Sequence, residues 1–140
     1  MIPEADYKKM IAALPILCVD IALQDDAGRY LLIKRANEPL KDQWWVIGGR
    51  VLKGETCEQA ARRKLKEEVN VEGVELKMLG LYEDFFDRNS LGIDTMYHTV
   101  SVVYRAKVPD VKSIRLDAQS KDWTFATSLP ERLVIKSTNI

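Results

Sequence analysis

The sequence predicts a single α+β domain. Three observations carry that reading. The strand candidates lie mostly next to one another along the chain, few helices interrupt them, and helices and strands do not alternate as a doubly wound parallel sheet requires. A chain of 140 residues, 46% hydrophobic and 30% charged, fits one unit, 1–140, with one sizeable core.

The elements follow in order. Pro3 suits the first turn of a helix running to about Leu14, with Tyr7, Met10, Ile11 and Leu14 on one face, and Pro15 ends it. Ile16 to Leu23 is mostly apolar and reads as a strand covered on both faces. Asp25-Asp26-Ala27-Gly28 is a hairpin signal, and Tyr30 to Lys34 is the returning strand. The loop Asn37 to Gln43 leads into a short strand, Trp44-Trp45-Val46-Ile47, ended by Gly48-Gly49. Thr56-x-x-Gln59 is a capping box for a second helix running to about Val69. Val74 to Phe86 and Met96 to Val108 are long strand candidates around a polar loop, Asp87 to Asp94. Trp123 to Ala126 is a short strand, and Ser128-Leu129-Pro130 opens a last short helix.

Charge and cysteine content exclude several classes. The 21 basic residues balance 21 acidic ones, so no global field draws the chain to nucleic acid or to an anionic membrane. No apolar run approaches the roughly 18 residues of a membrane span. Cys18 and Cys57 read as small buried hydrophobes of a reducing compartment. The first turn carries Glu4 and Asp6, unlike a signal peptide, so a cytoplasmic location is expected.

The most informative stretch begins at the glycine pair and ends at Arg63-Lys64-Leu65-Lys66-Glu67-Glu68-Val69-Asn70-Val71. Around the helix, Cys57, Ala61, Leu65 and Glu68 fall within an arc of about 80°. Glu68 therefore sits on the face to be buried, where an ionised carboxylate needs a cation or hydrogen bonds. A metal is the simplest compensation. Glu67 flanks that face, with Arg63 one turn before it. The alternative is a solvated face of i,i+4 pairs, Lys64 with Glu68 among them.

Gly49, Glu55, Arg63, Leu65, Glu67, Glu68 and Val71 closely resemble the Nudix box, G-x5-E-x7-R-E-U-x-E-E-x-G-U. The resemblance implies a Nudix-type α/β/α sandwich with a mixed sheet, and hydrolysis of a nucleoside diphosphate derivative with magnesium or manganese. Two box positions differ. Asn70 replaces the last glycine, a mild change at a left-handed helix end. Lys64 replaces a glutamate, and an ammonium neither binds a metal nor deprotonates water.

The surroundings resemble the GDP-mannose mannosyl hydrolases of that family. The run Leu32-Ile33-Lys34-Arg35-Ala36-Asn37-Glu38-Pro39, then Trp44, Gly48-Gly49-Arg50-Val51 and Phe85-Phe86-Asp87 with Asn89, Gly92 and Asp94 carry the likeness. That group lacks the same glutamate and cleaves the sugar C1–O bond of a nucleotide-sugar. The resemblance implies one cation held by the Gly48 carbonyl, Glu68 and Gln119, with Glu67 beside them. It implies Arg35 and Arg50 on the departing diphosphate, and a homodimer. Arg35 also reads as an exposed strand-end charge, and Gln119 as a loop residue.

The departures concern the base. Ser120 stands where a histidine follows the metal-binding glutamine, Asp84 where a second histidine stands, Thr99 for a tyrosine and Ile47 for a proline. The sole histidine, His98, matches a family histidine but also reads as structural. Asp84, His98 and Asp122 are the candidate bases. Three functions stay open: cleavage of a nucleotide-sugar at C1–O, a conventional Nudix pyrophosphohydrolase with its base elsewhere, such as Glu67, and a non-catalytic nucleotide-binding module.

Overall fold

In the computed structural model, which describes residues 2–87, 92, 93, 95–115 and 120–137, the chain begins with α1 (Glu4–Ala13) behind Pro3. The strands are β1 (Ile16–Gln24), β2 (Tyr30–Arg35), β3 (Trp44–Trp45), β4 (Ile47–Arg50), β5 (Lys77–Phe86), β6 (Tyr97–Lys107), β7 (Ser120–Ala126) and β8 (Lys136–Ser137). The second helix, α2 (Cys57–Val69), falls between β4 and β5. These strands form one mixed sheet, as the α+β reading expected.

β1 organises the sheet. It runs parallel to β6, from Ile16 beside Thr99 to Gln24 beside Lys107. Its other edge takes β4 antiparallel, pairing Cys18 with Arg50, Val19 with Gly49 and Asp20 with Gly48. β2 meets β1 only at Tyr30 and Gln24, and pairs instead with β3 and β7. β5 lies between β6 and β8.

Alternation along β1 separates two environments. Val19, Ile21 and Leu23 join the core with Ala61, Leu65 and Val69 of α2, all fully or almost fully buried. Each side chain of Leu or Val size buried this way contributes about 2 kcal/mol. Cys18 and Asp20 point to the other face, which they share with Thr99 and Ser101 of β6 and Tyr82 and Asp84 of β5. One face of the sheet thus holds the box helix, and the other carries polar side chains. β1 is covered on both faces, but not by apolar groups alone.

The ends of α2 follow the expected chemistry. Thr56 accepts from the Gln59 backbone N–H at 3.1 Å, and the Gln59 side chain accepts from the Thr56 backbone N–H at 2.8 Å. Asn70 closes the helix in the left-handed region, φ 59° and ψ 36°.

The expected last helix is absent from the described residues. Glu131 and Arg132 form a turn after Pro130, and the chain then enters β8, which pairs with Gly80 and Leu81 of β5. Burial of Leu133 and an ion pair from Arg132 to Asp84 hold this segment to the sheet. β5 starts at Lys77, later than expected, because the Val74 carbonyl is turned to accept from Arg62 Nη1 at 2.7 Å. Val111–Ser113 forms a 3-10 turn that was not expected. No described helix is long and apolar enough to cross a membrane.

Candidate active site

The site grows from the glycine pair. A Cβ on Gly48 would collide with Asp20 Oδ1 and lie 2.5 Å from the Val19 carbonyl. A Cβ on Gly49 would lie 2.6 Å from Lys64 Cε. Glycine at both positions therefore admits a side chain of β1 from one side and a side chain of α2 from the other. The result is a cleft of about 250 Å³, bordered by Gly48, Gly49 and Arg50 of β4, Asp20, and Lys64 and Glu68 of α2. Its far wall carries Arg35, Tyr82 and Tyr97.

Arg63 ties α2 to the strand end. Its guanidinium donates to Glu55 at 2.7 and 3.1 Å, to the Arg50 carbonyl at 3.0 Å and to Glu67 at 3.3 Å. The Arg63 hydrogen bonds hold the Glu55 carboxyl below its ordinary range, and Glu55 in turn raises Arg63. Glu55 also accepts from the Leu52 N–H at 2.8 Å. These two box residues thus fix the end of β4 at Arg50 and the turn that follows it.

Glu68 is mostly covered, with 17% of its side chain exposed, as the helical arc predicted. Its compensation in this structure is Lys64, equally covered, whose Nζ lies 3.2 Å from Glu68 Oε1. The i,i+4 pair open from the sequence is thus formed. Glu67 is half exposed, pairs with Arg63 and lies 3.8 Å from Lys64. Gly48 and Glu68 do border one cleft. Gln119 lies outside the described residues, as do Asn89 and Asp94.

The two arginines expected on the diphosphate both line the cleft. Arg35 donates through Nε to the Pro39 carbonyl at 2.8 Å. Arg50 stacks over the Tyr7 ring at 4.4 Å. Its Nε is buried without a hydrogen-bond partner among the described residues. A buried, unsatisfied donor on a cation at the cleft wall suits an anionic ligand.

The three candidate bases are not brought together, and none borders this cleft. Asp84 is buried behind it, receiving Nε and Nη2 of Arg132 at 2.6 and 2.5 Å and the Tyr82 hydroxyl. His98 points to the opposite sheet face, stacked on Phe85 at 4.4 Å. Asp122 is exposed on β7, where it accepts from the Trp123 N–H at 2.8 Å.

The structure adds Asp20, which the sequence reading passed over. It is buried, and Trp45 Nε1 donates to it at 3.2 Å. Burial pushes its carboxyl up to about 6, against hydrogen bonds from Ser101 and Trp45 and the nearby Arg35. The available signal was an acid inside the apolar run Leu17-Cys18-Val19-Asp20-Ile21. Tyr7 was missed as well: its hydroxyl lies 3.1 Å from that of Tyr97, so α1 closes one side of the cleft.

A mixed sheet with a capped, acid-bearing helix on one face and a cleft lined by Arg35, Arg50 and Lys64 along the glycine pair of β4 defines an α+β domain with an anion-directed site. Residues 14–131 match the NUDIX domain, and the chain belongs to the Nudix family of hydrolases, which act on nucleoside diphosphate derivatives. Among curated relatives, it is 32% identical over 119 residues to the low-salt glycan biosynthesis protein Agl8 of Haloferax volcanii, covering 84% of this chain and 74% of that protein. It is 36% identical over 105 residues to the ADP-ribose pyrophosphatase of Methanocaldococcus jannaschii, covering 74% of this chain. There it spans 58% of the relative's length. A MutT NUDIX hydrolase from Burkholderia pseudomallei superposes with a TM-score of 0.70 at 26% identity, covering 86% of this chain and 90% of that one.

Gly48 and Glu68, two of the expected cation ligands, border the same cleft, and both carry oxygen donors of the kind a hard divalent ion takes. Among the described residues no three His, Cys, Asp or Glu side chains cluster as a ready metal cage.

Proposed function

We propose that this protein hydrolyses a nucleotide-sugar at the sugar C1–O bond, releasing a nucleoside diphosphate and the free sugar. The observation that carries the reading is the placement of Lys64. The box position that would hold a carboxylate near phosphorus instead places a lysine on the border of the cleft that Arg35 and Arg50 also line. Three cations suit a departing diphosphate better than the activation of a water at phosphorus. Magnesium or manganese, held by Gly48 and Glu68 with Gln119, supplies further charge for that leaving group.

In this reading Arg50 and Arg35 take the diphosphate oxygens. Water adds its oxygen to C1 as the C1–O bond breaks, and the electron pair leaves with the diphosphate. Asp20 is the acid in the cleft apart from Glu68, and a carboxyl near 6 suits proton transfer at neutral pH. We place it ahead of Asp84, His98 and Asp122 as the group accepting the proton of water. A relative named for glycan biosynthesis is in keeping with a sugar-bearing substrate.

A second reading has its own support, the relative named as an ADP-ribose pyrophosphatase. There the diphosphate bond breaks, and Glu67 is the candidate base. Incubation with GDP-mannose and with ADP-ribose in oxygen-18 water, with magnesium, separates the two. Label in the released sugar is expected. Label on a nucleotide phosphate rejects C1–O cleavage, and binding without turnover of any nucleoside diphosphate derivative rejects both.

A further inference from the structure

Lys64 is a cation fixed where a divalent ion is expected to gather. Its stem lies across Gly49, close enough that a single added methyl would displace it. Its ammonium sits 3.2 Å from Glu68 and 3.8 Å from Glu67, so it faces both acids at the end of the box helix. Lys64 and Glu68 are each only 17% exposed, which keeps water from screening the pair. A divalent ion that uses Glu68 must displace this ammonium or sit beside it against like-charge repulsion. Either route weakens the ion's hold.

An anionic ligand acts in the opposite sense. Lys64 borders the same cleft as Arg35 and Arg50, so a diphosphate there gains a third cation. We propose that Lys64 is a tethered counter-cation: it competes with divalent ions for Glu68 in the free protein and contributes directly to diphosphate binding without metal. The inference rests on the cleft being a diphosphate site, but not on which bond is cleaved. It makes the metal and the diphosphate linked ligands, because a ligand that draws the ammonium from Glu68 frees that carboxylate for the ion, and by reciprocity the ion frees the ammonium.

The test uses the full chain and two ligands on Lys64→Met and Lys64→Gln. Met keeps the stem over Gly49, and Gln keeps a donor for Glu68. Free Mn²⁺ is followed by electron paramagnetic resonance with no nucleotide present. GDP binding is followed by calorimetry in excess chelator. Both variants are expected to bind Mn²⁺ at least about tenfold more tightly than the unaltered protein, about 1.4 kcal/mol. Both are expected to bind GDP at least about fivefold more weakly, about 1 kcal/mol. A merely structural role would weaken both ligands together, so opposite shifts support the inference. Adding Glu68→Gln to Lys64→Met should abolish the gain in Mn²⁺ affinity. Unchanged or weaker Mn²⁺ binding in both variants, unchanged GDP binding, or a gain that survives Glu68→Gln overturns it. Neither measurement involves turnover, so opposite shifts stand even if oxygen-18 appears on phosphate, and their absence leaves a sugar-labelled product unexplained by Lys64 alone.

Discussion

Asp20→Asn gives the sharpest test of the cleft's electrostatics. Burial raises the Asp20 carboxyl from 3.8 to about 6. A raised carboxyl means that the folded protein holds the proton more tightly than the unfolded chain. Its contribution to stability is therefore full below about pH 4 and is lost as pH rises toward 6, where the unfolded chain is already ionised. At about 1.36 kcal/mol per tenfold change in proton affinity, the loss comes to about 3 kcal/mol. Asparagine keeps the shape and an acceptor for Trp45 Nε1, but has no proton to lose. The stability gap between variant and unaltered protein should widen in favour of the variant by about 3 kcal/mol from pH 3 to pH 7. With a urea slope of about 1.5 kcal/mol/M, that is a relative midpoint shift of about 2 M. Urea titrations of both proteins at half-unit pH steps measure it. Groups shifted the other way, such as Glu55 under Arg63, cancel in the difference. Parallel curves across this range would refute the reasoning, because they would mean that Asp20 titrates alike in both states.

Three further outcomes are expected. Arg132→Gln leaves the buried Asp84 without its bidentate partner and should cost about 2 kcal/mol, less than a fully buried pair because Arg132 is nearly half exposed; pairing it with Asp84→Asn should recover more than half of that in urea titrations. Arg63→Met should cost about 2 kcal/mol by breaking charge-assisted bonds to Glu55 and the Arg50 carbonyl, and should raise the KM of a nucleotide substrate by loosening the end of β4 at Arg50. Asn70→Ala should lower stability by about 1 kcal/mol while Asn70→Gly does not, since only the alanine resists the left-handed φ of 59°; thermal melts compare them.

The parts of this molecule governed by local rules were legible in the sequence. The capping box, the left-handed Asn70 and the inward turn of Glu68 depend on neighbours within a helical turn or two. The turn at Asp25 and the existence of β5 and β6 were legible too, though β5 begins at Lys77 and β2 leaves β1 after one pair. What escaped depends on register between distant strands. Asp20 looked like one more member of a covered strand, because the sequence does not reveal that parallel pairing with β6 places it beside Ser101 and below Trp45. Burial of Glu68 was predictable from the helical arc, but the course of the Lys64 stem beside it depends on the empty space above Gly49. The final helix was read from Pro130 alone, and β-pairing across Gly80 with the Arg132–Asp84 pair overrode that signal.

The bareness of β4 has a practical consequence for redesign. A strand that lacks two consecutive Cβ atoms is a gap in the wall, and its occupants come from elsewhere, Asp20 through one opening and Lys64 through the other. Grafting new groups onto positions 48 and 49 evicts those occupants without replacing their chemistry. Retuning the pocket therefore runs through the tenants: exchanging residues 20 and 64 alters charge in the cleft while the surrounding backbone keeps its shape.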